Sequence, residues 1–235
     1  MLVVTAVDAE AEAFLAGLSP AAAAHFHVAA VGVGPTAAAA GTARLLARAE
    51  ADGAPHPAVL SVGIAGGFAG TPIGATVLGA RSIAADLGAE DPSPGNPSGF
   101  LSIDELGFGS NVLTADPALL TYLRTALPYA VVGDVLTLGT VTGTAATAAR
   151  LADRHPAAVA ETMEGYGAAS AAAGAAVRFA ELRTISNPVG PRDRSAWRIR
   201  DALQALTAAA RALSGAQRPW EPVTPPRTTS PAPAE

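Results

Sequence analysis

The chain has 235 residues, half of them hydrophobic, a net charge of −5, no cysteine, and 15 basic residues that are all arginine. This size and apolar content suit one compact α/β domain; no apolar run has the length and character of a transmembrane helix, and MLVVTAV opens without a basic leader, so a cytoplasmic location is expected. Without cysteine or lysine, thiol and Schiff-base chemistry are excluded; four scattered histidines make a metal site unexpected, and the acidic balance argues against nucleic acid as a partner.

LVVTAV (2–7) reads as a buried strand, followed by a helix over DAEAEAFLAGL (8–18). FHVAAVGVG (26–34) is a second strand ending in a glycine turn, and Pro35 opens the next helix, where its missing N–H leaves nothing unpaired. PAVLSVGIAGGFAG (57–70) repeats the strand and glycine turn, and ATVLGARSIAA (75–85) is a further strand. Residues 86–112 are rich in Pro, Gly, Ser and Asp and read as a long loop, of a length that is usually functional or mobile. There follow a helix over 116–127, a strand over 130–142, a helix over 143–155, a strand edge, and an alanine-rich helix over 164–176. RFAELRTISN (178–187) is the last strand and 194–213 the closing amphipathic helix. From about Gly215 the chain becomes a Pro-rich tail, expected to be disordered, which leaves 1–214 as a single domain.

Strands alternating with helices, most of them continuously apolar, predict a three-layer α/β/α fold around a central mixed, largely parallel sheet. Ligands in such sheets bind beyond the carboxyl ends of the strands. That rim gathers the glycine turns, Glu164 and Asn187.

Gly32-Val33-Gly34-Pro35-Thr36-Ala37 matches the G-x-G-x-x-A pattern of dinucleotide sites, but the next strand carries no acidic residue for a ribose, and a tight strand-to-helix turn explains the glycines. Gly63-Ile64-Ala65-Gly66-Gly67 is a second turn through which backbone can approach a ligand. Asp8, Glu10 and Glu12 have an ordinary reading as first-turn charges favoured by the helix dipole. The same reading is open to Glu164, which starts its helix within AETMEGYGAASAAAGA.

Five segments in order resemble the purine nucleoside phosphorylase and nucleosidase superfamily: TAVDAE, VGVGPTAAAAGT, SVGIAGGFAG, ETMEGYGAA and TISNPVG. ADLGAED, GFLSIDELGFG and ISNPVGPRDRSAW are similar to its futalosine hydrolase family, the nucleosidases of menaquinone biosynthesis. The resemblance spans about residues 1–213 and implies hydrolysis of the N-glycosidic bond of a purine nucleoside, with no metal or organic cofactor and a homodimer or larger homo-oligomer. It implies that Glu10 activates water, Glu164 accepts hydrogen bonds from the ribose hydroxyls, Met163 packs on the sugar and Asn187 contacts the purine. Thr162 and Ile64 stand where thioadenosine nucleosidases carry Glu and Ser. Val141 stands where they carry an aromatic, so Phe68, Phe100 or Phe108 is left to stack on the base. Arg192 and Arg194 are candidates for a negatively charged group beyond the ribose.

Asn187 replaces the Asp of adenosine-type enzymes. Its NH₂ can donate to both O6 and N7 of a 6-oxopurine, which points to hypoxanthine as the leaving base. Phosphorolysis is disfavoured because no basic residue precedes Arg44 and the first rim segment is acidic. The alternatives are another purine nucleosidase, a phosphorylase, or a nucleoside-binding protein without catalysis.

Overall fold

Apolar strands that must be covered on both faces alternate with helices that are short-sided and alanine-rich, so they can pack close to the sheet. In the computed structural model, which describes residues 1–96 and 98–216, the order is β1 (Leu2–Thr5), α1 (Asp8–Gly17), α2 (Pro20–Ala23), β2 (His27–Ala30), α3 (Pro35–Ala51), β3 (Ala58–Gly67) and β4 (Thr76–Ala84). There follow β5 (Gly88–Glu90), β6 (Phe100–Ser102), β7 (Val112–Thr114), α4 (Pro117–Ala126), β8 (Val131–Thr137) and α5 (Ala145–Arg154). β9 (Ala158–Thr162), α6 (Gly165–Gly174), β10 (Arg178–Pro188), a single 3₁₀ turn (Arg194–Ala196) and α7 (Ile199–Ser214) complete it. The tail expected to be disordered lies, from residue 217 onward, outside the described residues.

The sheet is α/β, mixed and mostly parallel, as the strand–helix alternation predicts. One feature corrects the expectation of a three-layer α/β/α arrangement. β10 pairs with both β3, in parallel, and β4, antiparallel, so β10, β4, β8, β9 and β3 close on themselves, with β1 and β2 extending from β3. Ala65, Val77, Val135, Ala160 and Ile185, one from each of these five strands, form a single buried cluster, the packed interior of a small barrel. Closure follows from pairings between strands far apart in sequence, which local patterning does not specify.

Helices still cover both flanks. Phe14 of α1, Leu119 and Leu123 of α4, and Leu206 and Leu213 of α7 pack on Val3, Leu60, Leu78 and Leu182. On the other side Leu46 of α3 and Ala168, Ala169 and Ala172 of α6 pack on Leu2, Val4, Val59 and Phe179. The segment 86–112 is not a bare loop. β5 and β6 form a two-stranded arm, and β7 adds antiparallel to β4. Among the described residues no helix is long and apolar enough to cross a membrane, and no three metal-ligating side chains gather.

Candidate active site

Glu10 is the third residue of α1, the position from which a glutamate reaches back over its own helix start. Its Oε2 accepts from the Ala6 N–H (2.9 Å) and the Val7 N–H (3.4 Å). Its Oε1 crosses to β3 and accepts from the Ile64 N–H (2.9 Å). A carboxylate has about four acceptor sites, so three are filled and one remains, on Oε1. Glu10 thus joins the ends of β1 and β3 while keeping one acceptor position open. Ile64 enters the site through its backbone N–H.

Glu164 precedes α6, but its side chain makes no capping bond to it. Its Oε1 accepts instead from the Gly34 N–H (3.1 Å), and its Oε2 stands 3.9 Å from Arg183 Nη1. Gly34 starts α3 at φ 91°, a backbone angle that a side chain would strain, and that geometry aims its N–H at the carboxylate. The charge is therefore set by the rim rather than by its own helix.

Between the two glutamates lies Arg183, fully buried on β10. Its Nε donates to Glu181 Oε1 (2.9 Å) and its Nη2 to Ser61 Oγ (2.8 Å), while Ser82 Oγ donates to the other oxygen of Glu181. Burial opposes the guanidinium charge, but Glu181, Glu164 and Glu10 together hold its pKa above the ordinary value. Burial pushes the Glu181 carboxyl up, against the pull of Arg183 and Ser82. Arg183 Nη1 has no hydrogen-bond partner among the described residues, a costly condition for a buried charged donor. A Cβ placed on Gly63 would fall 2.6 Å from that Nη1 and 2.6 Å from Glu10 Oε1. Only a residue without a side chain lets the open acceptor and the orphaned donor converge.

Asn187 follows a bulge in the β10–β3 pairing. Its Nδ2 donates to the Pro188 carbonyl (3.0 Å) and its Oδ1 accepts from Ser186 Oγ (2.8 Å). Because a carbonyl only accepts, Pro188 fixes which end of the amide is NH₂, and one of its hydrogens stays available. The Arg192 N–H donates to the Gly143 carbonyl (3.2 Å), and the Arg198 N–H to Ser186 (2.8 Å), which ties 192–198 to the rim. The guanidinium carbons of Arg192 and Arg194 lie 5.8 and 6.0 Å from the Trp197 ring. Arg194, Trp197, Arg198 and Arg200 also line a cavity of about 410 Å³.

Other residues singled out in the sequence have different surroundings. Met163 is half-buried beside Glu164. Thr162 is buried with its hydroxyl directed at the Leu136 carbonyl (3.5 Å), not at the glutamates. Val141 is exposed on the segment after β8. Of the three phenylalanines, Phe68 is buried among Ile83, Leu136 and Leu151, and Phe100 lies under the Arg154 guanidinium at 4.2 Å. Phe108 is 79% exposed. None of the three joins the Glu10–Arg183–Glu164 cluster.

Arg183, Glu181 and Glu161 belong to the site without having been expected there from sequence. The signal for the first two was the pair of charges in RFAELRTIS, an otherwise apolar strand in a sheet covered on both faces, where charges persist only when paired. Glu161, buried on β9, accepts from the Thr142 N–H (2.8 Å) and from its hydroxyl. Burial pushes its carboxyl above the ordinary range, and the Thr142 donors pull it back.

The phosphorylase superfamily profile matches residues 18–216. Futalosine hydrolase of Streptomyces coelicolor is 50% identical over 194 residues, covering 82% of this chain and 80% of its own. Futalosine hydrolase of Acidothermus cellulolyticus is 43% identical over 230 residues, covering 92% and 90%. Among solved structures, the 5′-methylthioadenosine/S-adenosylhomocysteine nucleosidase of Neisseria meningitidis superposes with a TM-score of 0.73 over 91% of this chain and 97% of that one, at 17% identity, a likeness of fold.

Proposed function

Because the chain belongs to the phosphorylase superfamily, and within it to the futalosine hydrolases, we propose that it cleaves the N-glycosidic bond of futalosine with water, on the futalosine route to menaquinone. The products are hypoxanthine and dehypoxanthine futalosine. The observation that carries the chemistry is the convergence at Gly63 of the open Oε1 position of Glu10 with the orphaned Nη1 of Arg183.

A water placed there donates to Glu10 and accepts from Arg183. As the bond between C1′ and the purine nitrogen breaks, its electron pair leaves with the base and the sugar takes on oxocarbenium character. Water oxygen bonds to C1′ while its proton passes to Glu10, a general-base step. Glu164 spends one acceptor site on Gly34; the others are free for the ribose hydroxyls, and its charge favours the cationic sugar. Met163 is assigned to the sugar face. Asn187, held in one orientation by Pro188, donates a hydrogen bond to O6 or N7 of the departing purine. The purine anion then takes up a proton, balancing the one that Glu10 removes from water and releases, and leaves as hypoxanthine. Arg192 and Arg194, flanking Trp197, are assigned to an anionic group beyond the ribose. Val141 is assigned to the base side. The same reading takes residues 1–214 as one nucleosidase domain, active as a cytoplasmic homo-oligomer without a cofactor.

Hydrolysis is favoured over phosphorolysis because the buried cation is surrounded by Glu10, Glu164 and Glu181, which oppose a phosphate dianion. The test is incubation with futalosine and a nucleoside panel, with and without phosphate, followed by assay of free base. Hypoxanthine release independent of phosphate is expected; release that requires phosphate, or no release, overturns the reading.

A further inference from the structure

Residues 139–144 leave β8 and enter α5 as a strap along the rim, exposed except for half-buried Thr142. Two carboxylates from other parts of the chain hold it. The Gly139 N–H donates to Asp86 Oδ2 (2.6 Å), from the segment after β4. Both donors of Thr142, backbone N–H and side-chain hydroxyl, fall on the two oxygens of Glu161 on β9. The next carbonyl, Gly143, accepts from the Arg192 N–H. The links therefore run from Glu161 through Thr142 and Gly143 to the arginine segment, and Glu161 lies three residues before Glu164.

A buried carboxylate is an expensive anchor. Burial works against its charge, and nearby Asp86 adds to the penalty. An apolar side chain would secure an exposed strap at lower cost but would not fix its orientation. Two donors of one residue on two oxygens of another fix both the backbone position and the side-chain direction of Thr142, and Val141 beside it.

We infer that Glu161, assisted by Asp86, is a positioning residue for purine selectivity: it sets the height of the 139–144 strap against the bound base. The inference rests on the reading above, in which the base lies between Val141 and Asn187. The strap acts on how the purine is held, not on water activation at Gly63, so its loosening shows in KM and base preference before kcat.

The test compares Glu161→Gln, Thr142→Val and Thr142→Ser with wild type on futalosine and its 6-amino analogue. Chemical denaturation verifies folding, and calorimetry measures hypoxanthine binding. Thr142→Val loses one charge-assisted hydrogen bond and should raise KM roughly tenfold, with kcat changed less than about threefold and a narrowed preference between the two bases. Glu161→Gln should raise KM by a smaller factor, because the amide oxygen still accepts from the Thr142 N–H and the NH₂ donates to the Thr142 hydroxyl, so two charge-assisted bonds become neutral ones. The double variant should be no worse than Thr142→Val alone, since both changes act on one interaction, and Thr142→Ser should recover the KM. Folded variants with wild-type KM, preference and hypoxanthine binding overturn the inference alone. A fall in kcat with KM unmoved also overturns it, by placing Glu161 in the chemistry. If wild-type protein neither releases nor binds a purine, the functional reading fails and takes the inference with it.

Discussion

Gly63→Ala adds a single methyl at the point on which the proposed chemistry depends. No positive φ is involved, so the substitution strains no backbone and acts through sterics alone. The new Cβ lies 2.6 Å from Glu10 Oε1 and from Arg183 Nη1, so each head must retreat by about 0.8 Å to reach the 3.4 Å of ordinary contact. Arg183 is fully buried and held at Glu181 and Ser61, so it has no route to solvent. Glu10 is held by three backbone N–H groups. Overpacking of this kind costs about 1–3 kcal/mol, a fall of roughly 3–10 °C in Tm for a domain of this size. Misplacing a reacting group by about 1 Å costs about a hundredfold in rate, so kcat should fall by about that factor while KM moves little. Steady-state hypoxanthine release and thermal unfolding measure the two effects. Gly174→Ala is the control: it is exposed near the end of α6, with nothing within 4 Å of the added Cβ. A Gly63→Ala protein with wild-type kcat and Tm would show that Glu10 and Arg183 do not jointly hold the nucleophile.

Glu10→Gln should reduce kcat by about 10²–10⁴-fold; it should also lower stability in urea, because the amide must turn an NH₂ toward backbone donors that Glu10 now accepts. Glu164→Gln should weaken binding and rate together, and less for a 2′-deoxy substrate than for the ribonucleoside; equal losses in parallel assays would contradict ribose contact. Asn187→Asp should move preference toward a 6-amino purine, and an unchanged ratio of kcat/KM on the two bases would remove Asn187 from base reading. Burial and Arg154 hold His155 below the ordinary histidine value, so the unfolded chain takes up a proton near pH 6.5 (about its ordinary value) that the folded chain refuses. The stability it contributes is present above that pH and lost as pH falls through it; His155→Gln should flatten the decline seen in denaturant titrations over this range.

Much of this architecture was legible because local chemistry and final structure agree. Pro35 opens α3 and the apolar runs around Ala58–Gly67 and Arg178–Pro188 are strands, each specified by neighbours in sequence. Barrel closure was not legible, since β10 meets β3 and β4 through pairings that no local period encodes. The arm at 86–112 was hidden for a related reason: β5 and β6 are three residues each, too short to show alternation among Pro and Gly.

The site divides along the same line. Glu10 and Glu164 stood out in sequence as charges at helix starts, where an ordinary explanation also existed. The structure separates the two explanations by partner. Glu10 does serve its own helix start, through Val7, yet one oxygen crosses to β3. The Glu164 side chain gives its helix no cap and bonds another turn instead. Phe100, in contrast, meets a partner that its sequence does not announce: the Arg154 guanidinium lies over its ring. Arg183 was the hardest to read, because the pair of charges in its strand signals a buried partner but not which other segments surround it. Three glutamates from three separate segments offset the burial of its charge, and a glycine from a fourth lets Glu10 and its free Nη1 converge. A hydrolytic site of this kind is defined by that crossing of segments: the acceptor, the donor and the space between them come from α1, β10 and β3, so no one stretch of sequence contains it.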